Sequence, residues 1–522
     1  MKFLAVLLIL CSLTLTLFSQ RNVPQKKQAT FPSDSIVPGK SSPEKQIKKS
    51  KEEKVEHLSD SVGNEPMQSN RVDTTVQNKY GDLLDDDSTY STRYPIWIPV
   101  LESIGSNAIT WFGDRYILRA EYARVGLKSW KSNFKNGWEW DVDRFGINFI
   151  GHPYSGTLTF NSGRSNGYNY FQSFSIAVGG SLVWEYLGEN TRPSYNDIIN
   201  TPVNGAFLGE ILYRLSSNIL DDRTRGLPRI SREILAGILN PMRGLNRILQ
   251  GKTFHRTNKE VYQKEPLNVT LYTGLHYVNE GHKDFGKGTR SVLLNAQFDY
   301  GNPFELRSRK PFDFFKLRTE INFGVGRKIL DNVTGYGILT GKNIKLKKQS
   351  ILIGLFQHYD YWDNKTFELG AIAFGGGLFS KIPLSKSSEI YTNIHIAVIP
   401  FAGNSTHFGP DSSEFRDYNF GDGLEGKFES TVNIGKYASA SFVYYYYIIR
   451  TFVGAKGNNY IGILKPRITI RLYKDLSIGF EHFVYYNDRY LRDLAAIHSA
   501  RTEQKLFLSL YFEDKQRRGH YN

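Results

Sequence analysis

The sequence predicts a mainly β protein: an outer-membrane antiparallel β-barrel of about twelve strands, with an α-helical insert after the first strand. Three observations carry this. From Asn268 onward, apolar and polar residues alternate with a period of two, as in Leu317, Thr319, Ile321 and Phe323 against Arg318, Glu320, Asn322 and Gly324. The alternating segments run about 10–14 residues, longer than the usual strand of about 5–6. Aromatic residues gather at segment ends, as in Tyr359, Tyr361 and Trp362, or Tyr485 and Tyr486, where an interfacial girdle belongs. A soluble sandwich also alternates, so length and aromatic placement decide the reading. No apolar run of about 20 residues supplies a transmembrane helix, and in hydrocarbon only a helix or a closed barrel satisfies the backbone.

Residues 1–19, MKFLAVLLILCSLTLTLFS, read as a secretory signal peptide: Lys2, then an apolar run, then Ser19 before polar residues. Cys11, the only cysteine, lies inside that run behind Leu10, so a mature chain has neither disulfide nor thiol chemistry. Residues 20–90 are rich in Lys, Ser, Glu, Gln and Asp, with charge runs of both signs. They read as a disordered periplasmic tether, since they bury too little apolar surface to offset the entropy of ordering. A periplasmic partner for this tether is the minority reading.

Strands are expected near 114–124, 268–278, 290–301, 314–326, 350–361, 366–379, 389–400, 424–435, 437–449, 459–473, 475–486 and 504–512. The first rests on Tyr116, Leu118, Ala120 and Tyr122 alternating with Arg115, Arg119 and Glu121. Segments 327–349 and 401–423 read as outward loops, and Pro466 as a bulge, because proline lacks a ladder donor. The apolar end Tyr511-Phe512 fits the aromatic terminus read by barrel-assembly machinery, although EDKQRRGHYN follows it.

The expected division is therefore 1–19 signal, 20–90 tether, 91–252 first strand plus helical insert, and 253–522 remaining strands. Within the insert, Val203, Ala206, Phe207, Ile211, Leu212, Leu215 and Ile219 recur at helical spacing. A second helix begins near Pro228, with Ile230, Ile234, Leu235 and Ile238 as its stripe, and breaks at Asn240-Pro241. A third, glycine-rich helix spans 171–186. Strand count makes the barrel narrow, which places the insert mostly beneath it on the periplasmic side, with at most one helix entering the mouth.

The stretch carrying HPYSGTLTFNSGRSNGYNYF, GGSLVWEYLGE, PSYNDIINTPVNGAFLGE and REILAGILNPMRGLNR resembles the bacterial family called domain of unknown function 3943, over roughly residues 110–252. The resemblance implies an envelope protein of Gram-negative bacteria, often of the Bacteroidetes kind. It implies no activity and transfers no catalytic residue.

His152, Glu185 and Glu189 are the candidate acid/base residues, because an imidazole beside a carboxylate forms a proton-transfer couple. Arg164, Asp197, Glu210, Arg214, Arg232 and Arg243 are the candidate binding or structural polar network, in which carboxylates pair with arginines, as buried charges require. The competing reading puts Glu185 and Glu189 in that same network. No H-E-x-x-H or cysteine pair occurs, so no metal ligand and no cofactor is assigned. Ser155, Ser162, Ser165 and Ser173 lack a G-x-S-x-G setting. The net charge of +15 suits anionic lipopolysaccharide or outer-membrane lipid. Nucleic acid is not expected, since an export signal comes first and no Lys/Arg block dominates. The functional expectation is an outer-membrane barrel whose insert caps or plugs it, with a structural, binding or transport role. The alternative is a lipid- or lipopolysaccharide-modifying enzyme using His152 with Glu185 or Glu189. A pore with a movable plug is a third reading.

Overall fold

The computed structural model describes residues 93–279, 289–324, 329–347, 349–364, 367–405, 418–492 and 495–513. The signal and tether assigned to 1–19 and 20–90 lie outside them, as do residues 406–417.

Twelve antiparallel strands close into one barrel in chain order. They are β1 (Leu267–Asn279), β2 (Thr289–Tyr300), β3 (Phe315–Phe323), β4 (Leu330–Leu346), β5 (Gln349–Asp363), β6 (Glu368–Pro383), β7 (Glu389–Ser405), β8 (Asn419–Ile434), β9 (Ala438–Val453), β10 (Gly457–Tyr473), β11 (Leu476–Leu491) and β12 (Ile497–Phe512). The seam is β1 against β12, with Val269 opposite Phe512 and Asn279 opposite Thr502. Closure leaves no unpaired edge. Pro466 stays in register with Phe442 of β9, while pairing to β11 lapses beside it and resumes at Arg467↔Glu481 without a bulge.

Two expectations about the strands need correction. Residues 114–124 form no strand: a π turn, Gly113–Ile117, continues the preceding helix, and Arg119 takes a left-handed conformation. Residues 327–349, read as a loop, contain β4. Its glycines suggested a loop, yet they mark close approaches. A side chain at Gly335 would crowd Phe207, and one at Gly337 would strike the Phe312 ring.

The helices therefore precede every strand instead of following the first. They are α1 (Trp97–Phe112), α2 (Leu127–Lys135), α3 (His152–Ser165), α4 (Tyr170–Val183), α5 (Tyr195–Ile219), α6 (Gly226–Leu239) and α7 (Pro241–Leu249). Asn169 caps α4, accepting from the Gln172 amide at 3.0 Å while the Gln172 side chain accepts from the Asn169 amide. This capping box satisfies two helix-end donors. Asn169→Ala is expected to cost about 1 kcal/mol, read as a lower midpoint in chemical denaturation. Asn240 separates α6 from α7, its side chain accepting from the Arg243 amide at 3.1 Å. At the α3–α5 crossing Gly156 and Gly205 touch backbone to backbone: a Cβ on Gly156 would lie 1.9 Å from the Thr201 carbonyl oxygen.

The helices lie against the outer face of the wall. Strand parity settles this. On β5, His358, Asp360 and Trp362 meet side chains of non-neighbouring strands: Asp360 pairs with Lys427 of β8 at 2.5 Å, and Trp362 packs edge-on to Tyr485 of β11. These residues face the lumen. Gln357, Tyr359 and Tyr361 have the opposite parity, shared with the exposed Ile353 and Leu355. All three contact the helical region. The Tyr170 hydroxyl donates to Gln357 at 2.7 Å, Tyr359 donates to the Phe149 carbonyl, and Phe145 stacks on Tyr361. The Phe149 ring sits over Gly370 of β6 and Gly403 of β7, which leave it room. Trp140 reaches Phe401, Phe420 and Phe452 on β7, β8 and β9. One apolar core thus joins the helices to the outward faces of the wall, and a separate one fills the lumen around Trp362, Tyr445, Tyr447 and Tyr485. The helices are neither a plug within the barrel nor a cap beneath it. The parity of an outward apolar residue is the same whether lipid or a helix covers it.

Ion pairs also span the lumen. Arg318 of β3 binds Glu429 of β8 at 2.6 Å, Lys505 of β12 binds Glu320 of β3 at 2.6 Å, and Arg467 of β10 donates to Tyr272 of β1 at 2.9 Å. The cavity beside Lys316, Arg318, Tyr336 and Lys427 holds about 10 Å³, roughly the least that admits one water.

Candidate functional site

A cluster of one histidine and five carboxylates forms where four segments of the helical domain converge. The irregular segment before α3 brings Asp141 and Asp143. The first residue of α3 is His152. The π turn Trp184–Gly188 and the extended residue after it bring Glu185 and Glu189, and the first turn of α5 brings Asp197. A parallel bridge between Glu139 and Ser194 ties the first and last of these segments together.

The polar residues around the cluster hold it in place. Ser194 caps α5, its hydroxyl accepting from the Asp197 amide, and its own amide donates to Glu185 at 2.6 Å. Asn196 donates to Asp197 at 2.9 Å and to Asn148 at 2.8 Å, and accepts from the Asp141 amide at 3.1 Å. Asn148 donates to Asp141 at 3.1 Å. Glu189 accepts from the Trp184 indole at 2.7 Å and the Thr191 hydroxyl at 3.0 Å. His152 Nε2 stands 3.5 Å from Asp143 Oδ2 and 3.5 Å from Asp197 Oδ1.

Crowded carboxylates in a dry setting cannot all ionise. Burial, with Glu189 adding to it, holds Glu185 well above the ordinary carboxylate range. Burial and the neighbouring Asp141 do the same to Asp197. Glu189 is pushed up to about 7 by burial and by Asp143. Burial also works against ionisation of Asp141, but the hydrogen bond from Asp197 and the nearby His152 outweigh it and hold its value down. Burial opposes the charged form of His152, and Asp143 and Asp141 overcome it and raise its value.

The structure brings His152, Glu189 and Asp197 into this cluster and sets Glu185 at its edge, bound to the Ser194 amide. The nearest carboxylates to His152 are Asp143 and Asp197, not Glu185. Asp143 and Asp141 were missed from sequence: Trp138, Trp140 and Val142 alternate with Glu139, Asp141 and Asp143 over too short a run to mark an element, and two aspartates at i,i+2 outside a regular element carry no spacing signal.

The arginine candidates go elsewhere. Glu210 is clamped between Arg164 at 2.6 Å and Arg214 at 2.8 Å. Arg232 donates to the Ile219 carbonyl at 2.6 Å, and Arg243 to the Tyr213 carbonyl and the Ser216 and Ser217 hydroxyls, closing the end of α5. A further network, unforeseen from sequence, joins Arg229 and Arg247 to Asp222 and Glu233.

Beside the cluster runs a groove of about 510 Å³ between α1 and α4, lined by Ile96, Val100, Ile104, Ile176, Gly179 and Val183. Val183 adjoins the π turn that carries Glu185.

No curated protein matches the chain. Among solved structures it is similar to the outer membrane channel DcaP of Acinetobacter baumannii, at 9% identity over 48% of this chain and 97% of that chain, with a TM-score of 0.23. It is similar to the NanC porin at 10% identity, over 46% and 98%, with a TM-score of 0.26. The anion-selective porin from Comamonas acidovorans aligns at 9% identity, over 48% and 99%, with a TM-score of 0.20. Residues 137–242, which hold the whole His152 cluster and the Arg164–Glu210–Arg214 clamp, match the family described as Domain of unknown function (DUF3943), and in this chain that matched segment precedes a closed twelve-stranded β-barrel.

Proposed function

We propose that this is an outer-membrane protein that works from the outside of its barrel, holding an envelope lipid of the lipopolysaccharide class on the helical domain. The observation that carries the reading is the position of that domain. It covers outward faces of the wall, while ion pairs and aromatic rings fill the lumen. A molecule reaches the His152 cluster through the membrane plane and not through a pore.

Three features support it. Trp97, Leu101 and Phe112 of α1, Ile230 and Ile234 of α6, and Ile248 and Leu249 of α7 are all exposed, and so continue the apolar belt of the strands. Among the described residues no helix is long and apolar enough to cross a membrane, so the strands do the crossing. Both barrel ends, Leu267 and Phe512, lie at the end with the short connections 435–437 and 474–475, which also carries the long 301–314, while 454–456 is short at the opposite end. Short turns mark the periplasmic side, which suits a periplasmic tether. Phe149 then meets β6 and β7 near their opposite ends, on the outer-leaflet side, where lipopolysaccharide resides.

The enzymatic reading keeps one specific observation in its favour: His152 lies between the carboxylates of Asp143 and Asp197, at 3.5 Å from each, an arrangement suited to proton transfer. In it His152 and Asp143 form the couple, with Glu189 beside them, acting on a lipid ester.

Two measurements test the proposal. The purified protein in planar bilayers is expected to show no porin-like conductance steps. Native mass spectrometry is expected to find bound lipid that Gly179→Leu reduces, because a Cβ at Gly179 meets nothing within 4 Å and the added side chain fills the groove. Steady conductance, or lipid retention unchanged by Gly179→Leu, overturns the reading.

A further inference from the structure

We propose that Asp141, Asp143 and His152 form a binding site for one divalent cation of the first transition row, of the Mn²⁺ or Zn²⁺ type. The inference does not depend on the lipid reading.

Geometry comes first. One ligand atom from each of the three residues lies within 4.8 Å of the others, a spacing that lets a central ion reach all three with little movement, since such bonds are about 2.0–2.2 Å. His152 Nε2 is a buried nitrogen with no hydrogen-bond partner, although two carboxylate oxygens flank it at 3.5 Å. An unbonded ring nitrogen facing carboxylates at that distance is poised for a shared third atom.

The charge balance points the same way. Elsewhere in this chain several buried carboxylates are met by guanidinium or ammonium groups, as Glu210 by Arg164 and Arg214, Glu429 by Arg318, Glu320 by Lys505 and Asp360 by Lys427, while others such as Asp331 and Asp363 are held by amides or a phenol. Around His152 the groups that hold Asp141, Glu185, Glu189 and Asp197 are neutral amides, a hydroxyl and an indole. Burying charge without a counter-charge is costly, and a divalent cation supplies two positive charges where the fold places one imidazole.

The donor set selects the ion. Imidazole nitrogen beside carboxylate oxygens favours first-row metals, whereas all-oxygen sites suit Mg²⁺ and Ca²⁺. Asn148 and Asn196 orient Asp141 as the outer shell of a metal site does. Asp143 keeps 30% of its side chain exposed, giving an ion a way in.

The test uses the full chain in detergent, stripped with chelator and titrated calorimetrically with Mn²⁺ and Zn²⁺. One saturable site per chain is expected, weakened by more than about 100-fold in Asp143→Asn and in His152→Ala, since even outer-shell changes cost about 10–100-fold. Pulsed electron paramagnetic resonance of the Mn²⁺-loaded wild type is expected to show ¹⁴N modulation from the His152 ring, a reading that stands even if the variants fail to fold. No saturable binding, affinity unchanged in both variants, a clear preference for Mg²⁺ or Ca²⁺, or absence of ¹⁴N coupling overturns the assignment.

Discussion

Phe149→Ala is expected to cost about 3–5 kcal/mol and to loosen the helical domain from the barrel without opening the barrel itself. The ring has no exposed surface. It packs against Phe145 at 4.9 Å and Phe401 at 5.9 Å between centroids and rests on the bare backbones of Gly370 and Gly403. Truncation leaves a void between two rigid surfaces, neither of which collapses easily: a closed sheet on one side and a helix start on the other. Limited proteolysis separates the two halves of the prediction. Cleavage between α1 and α7 is expected to rise, while the strands retain the heat-modifiable gel mobility of a closed barrel. Equal loss of both would show that wall and helices fold as one cooperative unit.

Glu210→Ala is expected to be as damaging, at about 3–5 kcal/mol, for an electrostatic reason. Glu210 has no exposed surface and neutralises two guanidinium groups at once. Without it Arg164 and Arg214 face each other inside the helical core, and Arg214 keeps the Pro311 carbonyl and Tyr300 beside it but loses its directly bonded carboxylate. Burial opposes ionisation of Glu210, but the two arginines outweigh it and hold its value below the ordinary carboxylate range. A depressed folded-state value contributes stability that is fully present above the unfolded-state value and is lost as pH falls through the folded one. The wild type is therefore expected to keep this contribution at neutral pH and lose it only in strong acid. Glu210→Ala flattens that acid limb of the stability profile, measured by denaturant midpoint against pH.

Most of the barrel was legible because its strands repeat with a period of two. β4 was not: Gly335 and Gly337 interrupt its alternation, and their reason lies in the Phe207 ring of α5 and the Phe312 ring of the β2–β3 connection. The helices were legible from stripes such as Phe207, Ile211, Leu215 and Ile219, but their side of the wall was not. On α6 the stripe Ile230, Ile234 and Ile238 turned out to be exposed, the reverse of what such a stripe means in a soluble domain. His152, Glu189 and Asp197 stood out as costly residues, and the structure gathers them. Asp141 and Asp143 did not, because irregular backbone placed them there.

The order of the chain adds a consequence for biogenesis. The helical domain is made first, yet the surfaces that cover Asn148, Phe149 and Trp140 come from β5 to β8, more than two hundred residues later: Tyr359 reaches Phe149 across 210 positions and Tyr418 reaches Asn148 across 270. Contacts so distant in sequence form late. Until the wall exists, the aromatic side of the domain has nothing to bury against. Docking must also keep pace with closure of the β1–β12 seam, because β1 is tethered directly to the helices. A stalled intermediate would be an open sheet with its helices adrift, and a seam that closes before docking would leave the His152 cluster unassembled on a finished barrel.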